Sequence, residues 1–85
     1  MYYCALVNET TGELVVNPNI ASIVDGCEEW SKEEDANFRF DALGLQAEIN
    51  NLGRNPDVKK GDKWFAYMGD KPWTKEQLSE SGEKI

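Results

Sequence analysis

Ala42, Leu45, Ile49 and Leu52 recur at steps of three and four residues, with Asp41 before them, Gly53 directly behind and Pro56 soon after. Such steps place apolar side chains on one face of an α-helix. Aspartate is an N-cap type, glycine suits the position just past a helix end, and proline cannot continue the helix. A helix over about 42–52 therefore carries a stripe that must be laid against another layer. In a chain of 85 residues, only one further layer is affordable.

The remaining apolar segments are short and strand-like. Residues 2–7 form a run of aromatic and branched side chains, and residues 8–12 hold the Asn and Gly of a turn. Residues 13–16 return, which makes an N-terminal β-hairpin. Asn8-Glu9-Thr10 also fits a glycosylation sequon, but the turn reading is preferred. Phe38 and Phe40 alternate around Arg39, predicting a half-buried strand near 37–41, and residues 63–68 predict another. The expected fold is α+β: a small two-layer domain with a three- or four-stranded, mainly antiparallel sheet packed by the helix at about 42–52.

Two further segments read as helical or charged. Asn17-Pro18 suits a helix start, and Ile20, Ile23, Val24, Cys27 and Trp30 follow at helical spacing, so a helix is expected there, entire or broken at Gly26. Residues 31–35 read as a charged loop. Thr74 with Gln77 has the form of a capping box for a last short helix, with fraying beyond about 82. No linker divides the chain, so residues 1–85 are read as one domain.

Composition narrows the chemistry. Histidine is absent, which removes the commonest general base near neutral pH and the commonest metal ligand. Cys4 and Cys27 sit among apolar neighbours and read as buried thiols; a zinc site would need two more Cys or His ligands. There is no phosphate-binding glycine loop, no Ser/His/Asp set and no calcium-loop spacing. The expectation is a non-enzymatic protein with no cofactor, no metal and no catalytic residue. No apolar run approaches the roughly 20 residues of a membrane span, and the N-terminus lacks a signal-peptide pattern, so a soluble cytoplasmic protein is expected.

The charge is localised. The formal charge is −7, yet residues 1–53 alone carry −8 and residues 54–85 carry +1. Six acids fall between Asp25 and Asp35, with Lys32 as the only base. Unrelieved like charge at that density is destabilising, which points to a surface kept for a basic partner; the plainer alternative is an acidic excess that keeps a small domain soluble. The candidate partner-binding residues are Asp25, Glu28, Glu29, Trp30, Glu33, Glu34 and Asp35, with Trp73 as an exposed aromatic anchor. If 25–33 is helical, Asp25, Glu28 and Glu29 form a carboxylate row resembling a nucleic-acid backbone. The function expected is an acidic interaction module on a larger protein's basic surface. A phage-type inhibitor, or a nucleic-acid-mimicking modulator of a host nucleic-acid-processing or defence enzyme, would be its concrete form. Direct nucleic-acid binding is the weaker alternative. It would use Lys59, Lys60, Lys63, Trp64, Tyr67, Lys71, Trp73 and Lys75, interleaved bases and aromatics of the kind that hold single strands. A structural accessory subunit donating an edge strand at residues 1–4 is the third reading.

Overall fold

The structure, a computed structural model, describes residues 1–76. The Thr74–Gln77 capping box reaches past that limit, and the expected fraying at 82–85 lies outside the described residues. The elements are β1 (Tyr2–Asn8), β2 (Leu14–Val15), β3 (Ser22–Val24), β4 (Cys27–Trp30), α1 (Glu33–Asn51) and β5 (Trp64–Gly69). One helix packs on a five-stranded antiparallel sheet, the α+β domain expected from the sequence.

β1 is the spine of the sheet. β5 pairs with it from Tyr3↔Gly69 to Asn8↔Trp64. The opposite edge is shared: β4 takes residues 2–4, with Cys4↔Glu28, and β2 takes residues 6 and 7. β3 then pairs with β4. The start of the chain is therefore an interior strand, not the free edge that the accessory-subunit reading required. Residues 4–8 are all buried because both faces of β1 are covered.

Side chains alternate between those faces. Cys4, Leu6 and Trp64 face α1 and pack with Ala36, Leu43 and Ala47. Ala5, Val7 and Cys27 face the other way and are covered by Trp73, with Phe65, Tyr67 and Leu14 around it. Trp73 is only 5% exposed, so the aromatic expected on the surface closes a second core instead. Burial is available there because the chain folds back after β5: Tyr67 donates its hydroxyl proton to the Lys71 carbonyl at 2.6 Å, and the Trp73 N–H donates to Cys27 Sγ at 3.3 Å.

Two expected elements are replaced. The segment 20–30 is a hairpin rather than a helix. Asp25 and Gly26 both have positive φ (50° and 84°), the pattern of a two-residue type I′ turn, which Asp-Gly adopts at little cost. Strand alternation then sets Cys27 and Glu28 on opposite faces, a separation no helix could make. The strand expected near 37–41, and residues 33–35 of the charged loop before it, lie inside α1. Glu33, Glu34 and Asp35 occupy its first turn, where the positive end of the helix dipole favours carboxylates. The far end stops where expected: Gly53 has φ 71°, its N–H bonds the Asn50 carbonyl, and Arg54 N–H bonds the Ile49 carbonyl, a Schellman closure.

Cys4 and Cys27 are free, buried and on opposite faces of the sheet. Burial, followed by the Glu28 carboxylate, pushes the Cys4 thiol up to about 11, and burial also raises Cys27. The folded state thus prefers the protonated thiol. Below about pH 9 both states hold the proton and nothing changes. Between about 9 and about 11 the unfolded chain ionises first, so Cys4 is expected to withdraw stability over that window. At pH 8.5, alkylation of the native thiols is expected to be on the order of 100-fold slower than in denaturant. Equal rates would show that the thiols are not sealed.

Candidate protein-docking surface

The surface follows from how α1 is clamped. Glu28 is fully buried, and its carboxylate accepts four N–H groups. Arg39 gives Nε at 2.8 Å and Nη2 at 2.9 Å, the Asn17 backbone gives 2.8 Å, and Trp30 Nε1 gives 3.3 Å. A two-pronged guanidinium–carboxylate contact fixes direction as well as distance. It turns Arg39 toward the sheet, and the side of α1 carrying Ala36, Leu43, Ala47 and Asn50 turns in with it.

The opposite side is left with most of the large apolar residues. Phe38 is 80% exposed, Leu45 63%, Ile49 41% and Leu52 68%, and Ala42 is also exposed. This is the stripe expected to cover the sheet, lengthened by Phe38. It faces away from the sheet. The inward side carries Ala36, Leu43 and Ala47, while Phe38, Leu45, Ile49 and the C-cap Leu52 point outward, so more large apolar surface is left out than covers the sheet. The stripe steps by four, three, four and three residues, the 3.5-residue period of a coiled-coil seam, within an arc of about 80° on a 3.6-residue helix. Glu34, Asp41 and Glu48, seven residues apart, line one border, and Asp35 stands on the other. At the N-terminal end Ile20, Trp30, Asp35, Phe38, Arg39 and Ala42 enclose a notch of about 270 Å³.

The residues expected to bind a partner are dispersed. Trp30 is half-buried and, with Asp35, lines the notch; Glu34 and Asp35 flank the stripe. Glu33 is exposed at the helix start, where it accepts the Tyr2 hydroxyl at 3.2 Å and raises that phenol's pKa. Glu29 lies on the sheet face away from α1, hydrogen-bonded to Tyr3 at 3.0 Å, and Asp25 is at the β3–β4 turn. Glu28 and Trp73 are internal and unavailable. The row Asp25, Glu28, Glu29 does not form, because it presumed a helix where there is a hairpin. Phe38, Leu45, Ile49 and Leu52 are what sequence reasoning misplaced. The signal that could have found them is a second stripe on the same helix, Ala36, Leu43, Ala47 and Asn50, competing for the core.

Because these side chains touch little, Phe38→Gln and Leu45→Gln are each expected to change unfolding free energy by less than about 0.5 kcal/mol in urea titrations. A loss above about 1 kcal/mol would mean that the stripe is packed after all.

A groove of about 560 Å³ lies at the other end of α1, between Leu6, Asn8, Gln46, Asn50, Asn55 and Trp64. Its floor is an amide network, in which Asn50 Oδ1 accepts from Gln46 and Asn55, each at 2.9 Å. Glu13, Asp57, Lys59 and Asp62 also line it, and Asp62 accepts from the Asn8 side-chain amide at 3.0 Å. Among the described residues no group of three His, Cys, Asp or Glu is placed to hold a metal ion, and no helix is long and apolar enough to cross a membrane. In comparisons with known proteins, no family model, no curated protein and no solved structure matches this chain.

Proposed function

We propose that this chain is a non-enzymatic interaction module that binds a basic surface of a larger protein through the solvent face of α1. One observation carries the reading: a helix otherwise built into the core exposes four large apolar residues in one line, bordered by acids, while its single base is turned inward onto Glu28. Contiguous exposed apolar surface with a polar rim is the ordinary mark of a protein contact. The acids supply steering toward a cationic partner and reject anionic ones. An inhibitor or modulator of a nucleic-acid-processing or defence enzyme, of the kind phages make, is the concrete form we favour.

Imitation of a phosphate backbone is not part of the proposal. Glu34, Asp41 and Glu48 are about 10.5 Å apart along the helix axis, whereas one nucleic-acid strand carries a phosphate about every 3.4 Å. Direct nucleic-acid binding loses its stacking platform, since Trp64 and Trp73 are each 5% exposed.

The test is capture from native lysate at low and high salt by wild type, by Leu45→Asp, and by a triple variant Glu34→Lys, Asp41→Lys, Glu48→Lys. A protein held by wild type, weakened by salt and released by both variants is the expected result. A bound set identical for all three, an empty one included, sinks the reading.

A further inference from the structure

Resting on that docking reading, we propose that the occupant of this face is an amphipathic helix with basic flanks, lying along α1 in coiled-coil register and setting a large apolar side chain into the notch at Phe38.

The width of the stripe points to the shape of the occupant. A face that covers a sheet is an apolar band roughly 100° wide or more, whereas a strip of about 80° rimmed by charge has the width of a helix–helix seam. Phe38, Ala42, Leu45, Ile49 and Leu52 hold that seam over two heptads, about 21 Å of helix. The notch bounded by Ile20, Trp30, Phe38 and Ala42 is the hole into which the first knob fits.

The border identifies its charge. Glu34, Asp41 and Glu48 stand at the heptad positions adjoining the seam, where flanking residues choose partner and orientation. A second copy of this chain is a poor occupant in either direction. Antiparallel, the three acids would face the same three acids. Parallel, they would face Arg39, Gln46 and Gly53, and the Arg39 guanidinium is already held by Glu28. Lysine or arginine on the incoming helix satisfies the row in both orientations, and Asp35 on the far border adds to the preference.

The experiment uses two synthetic 21-residue helical peptides with identical Leu/Ile seams, one flanked by Lys and Arg, the other by Glu, titrated calorimetrically into the full chain. The basic peptide is expected to bind, and the acidic one to bind more weakly by on the order of tenfold or more. Leu45→Asp is expected to weaken the basic peptide roughly 30-fold, and the triple lysine variant to reverse the preference between peptides. Circular dichroism of each variant confirms that the fold survives, as exposure of these positions requires. Binding of neither peptide, equal binding of both, binding indifferent to Leu45→Asp, or a dimer of the chain that Leu45→Asp dissolves would each overturn the inference. A lysate partner released by Leu45→Asp while neither peptide binds overturns the helical form alone and leaves the docking reading standing. Absence of both removes the docking reading itself.

Discussion

Alanine at Arg39 is expected to lower the unfolding free energy by about 3–5 kcal/mol, a large share of the roughly 5–15 kcal/mol that holds a domain together. The loss is not the strength of a salt bridge. Glu28 has no solvent contact, so removing the guanidinium strands a carboxylate away from water with only the Asn17 and Trp30 N–H groups to answer it. The reverse substitution, Glu28→Gln, keeps the volume but leaves the cation facing an amide, and the same order of loss is expected. Replacing both partners by methionine removes the charges together and is expected to recover most of what either single change costs. Urea unfolding of the three variants checks this. Single losses below about 1 kcal/mol would mean that water reaches Glu28 and that the pair does not set the rotation of α1.

Trp73→Ala is expected to cost about 3–5 kcal/mol, comparable to deleting the largest side chain from any core. Trp73 stands edge-on to Phe65, ring centroids 6.1 Å apart at 70°, and covers Ala5, Val7 and Cys27 on the face of β1 turned away from α1. Its loss opens that face, so alkylation of Cys27 is expected to accelerate while Cys4, sealed under α1 with its thiol directed at the Ala36 carbonyl, stays protected. Unequal acceleration distinguishes local opening from general destabilisation. A Cys27 rate unchanged from wild type, with stability intact, would place the cover elsewhere. Phe38, a residue of similar bulk, is expected to matter little to stability, because at 80% exposure it has almost no packing to lose.

Much of the architecture was legible along the chain. Residues 2–7 and 63–68 read as strands from their branched and aromatic content, the turn at 8–12 from its Asn and Gly, and the helix end from Gly53, because these signals act within a few residues. Asn8 shows how local they are: its side-chain oxygen accepts the N–H groups of Thr10 and Thr11, two and three residues on, and so shapes the turn from within. Asp25-Gly26 was equally local but was outweighed by an apolar spacing that fits a helix over 20–30 and, as it proves, also a hairpin.

What local signals leave open is which of two compatible faces meets the core. Residues 33–52 carry one stripe of large apolar side chains and another that mixes two alanines with Leu43 and Asn50, and helical period is satisfied by burying either. The choice is made at a distance. Glu28, placed inward by the register of β4 on β1, can be buried only with its charge answered, and Arg39 is the residue that α1 brings to it at 2.8 Å. Pairing them rotates the Ala36, Leu43, Ala47 and Asn50 side in and the Phe38, Leu45 and Ile49 side out. The sequence by itself determined an acidic α+β domain with a helix ending at Gly53. The tertiary structure alone decided that Phe38, Leu45 and Ile49 face outward, because the cost of an unanswered buried charge exceeds the gain from burying a few more methylene groups.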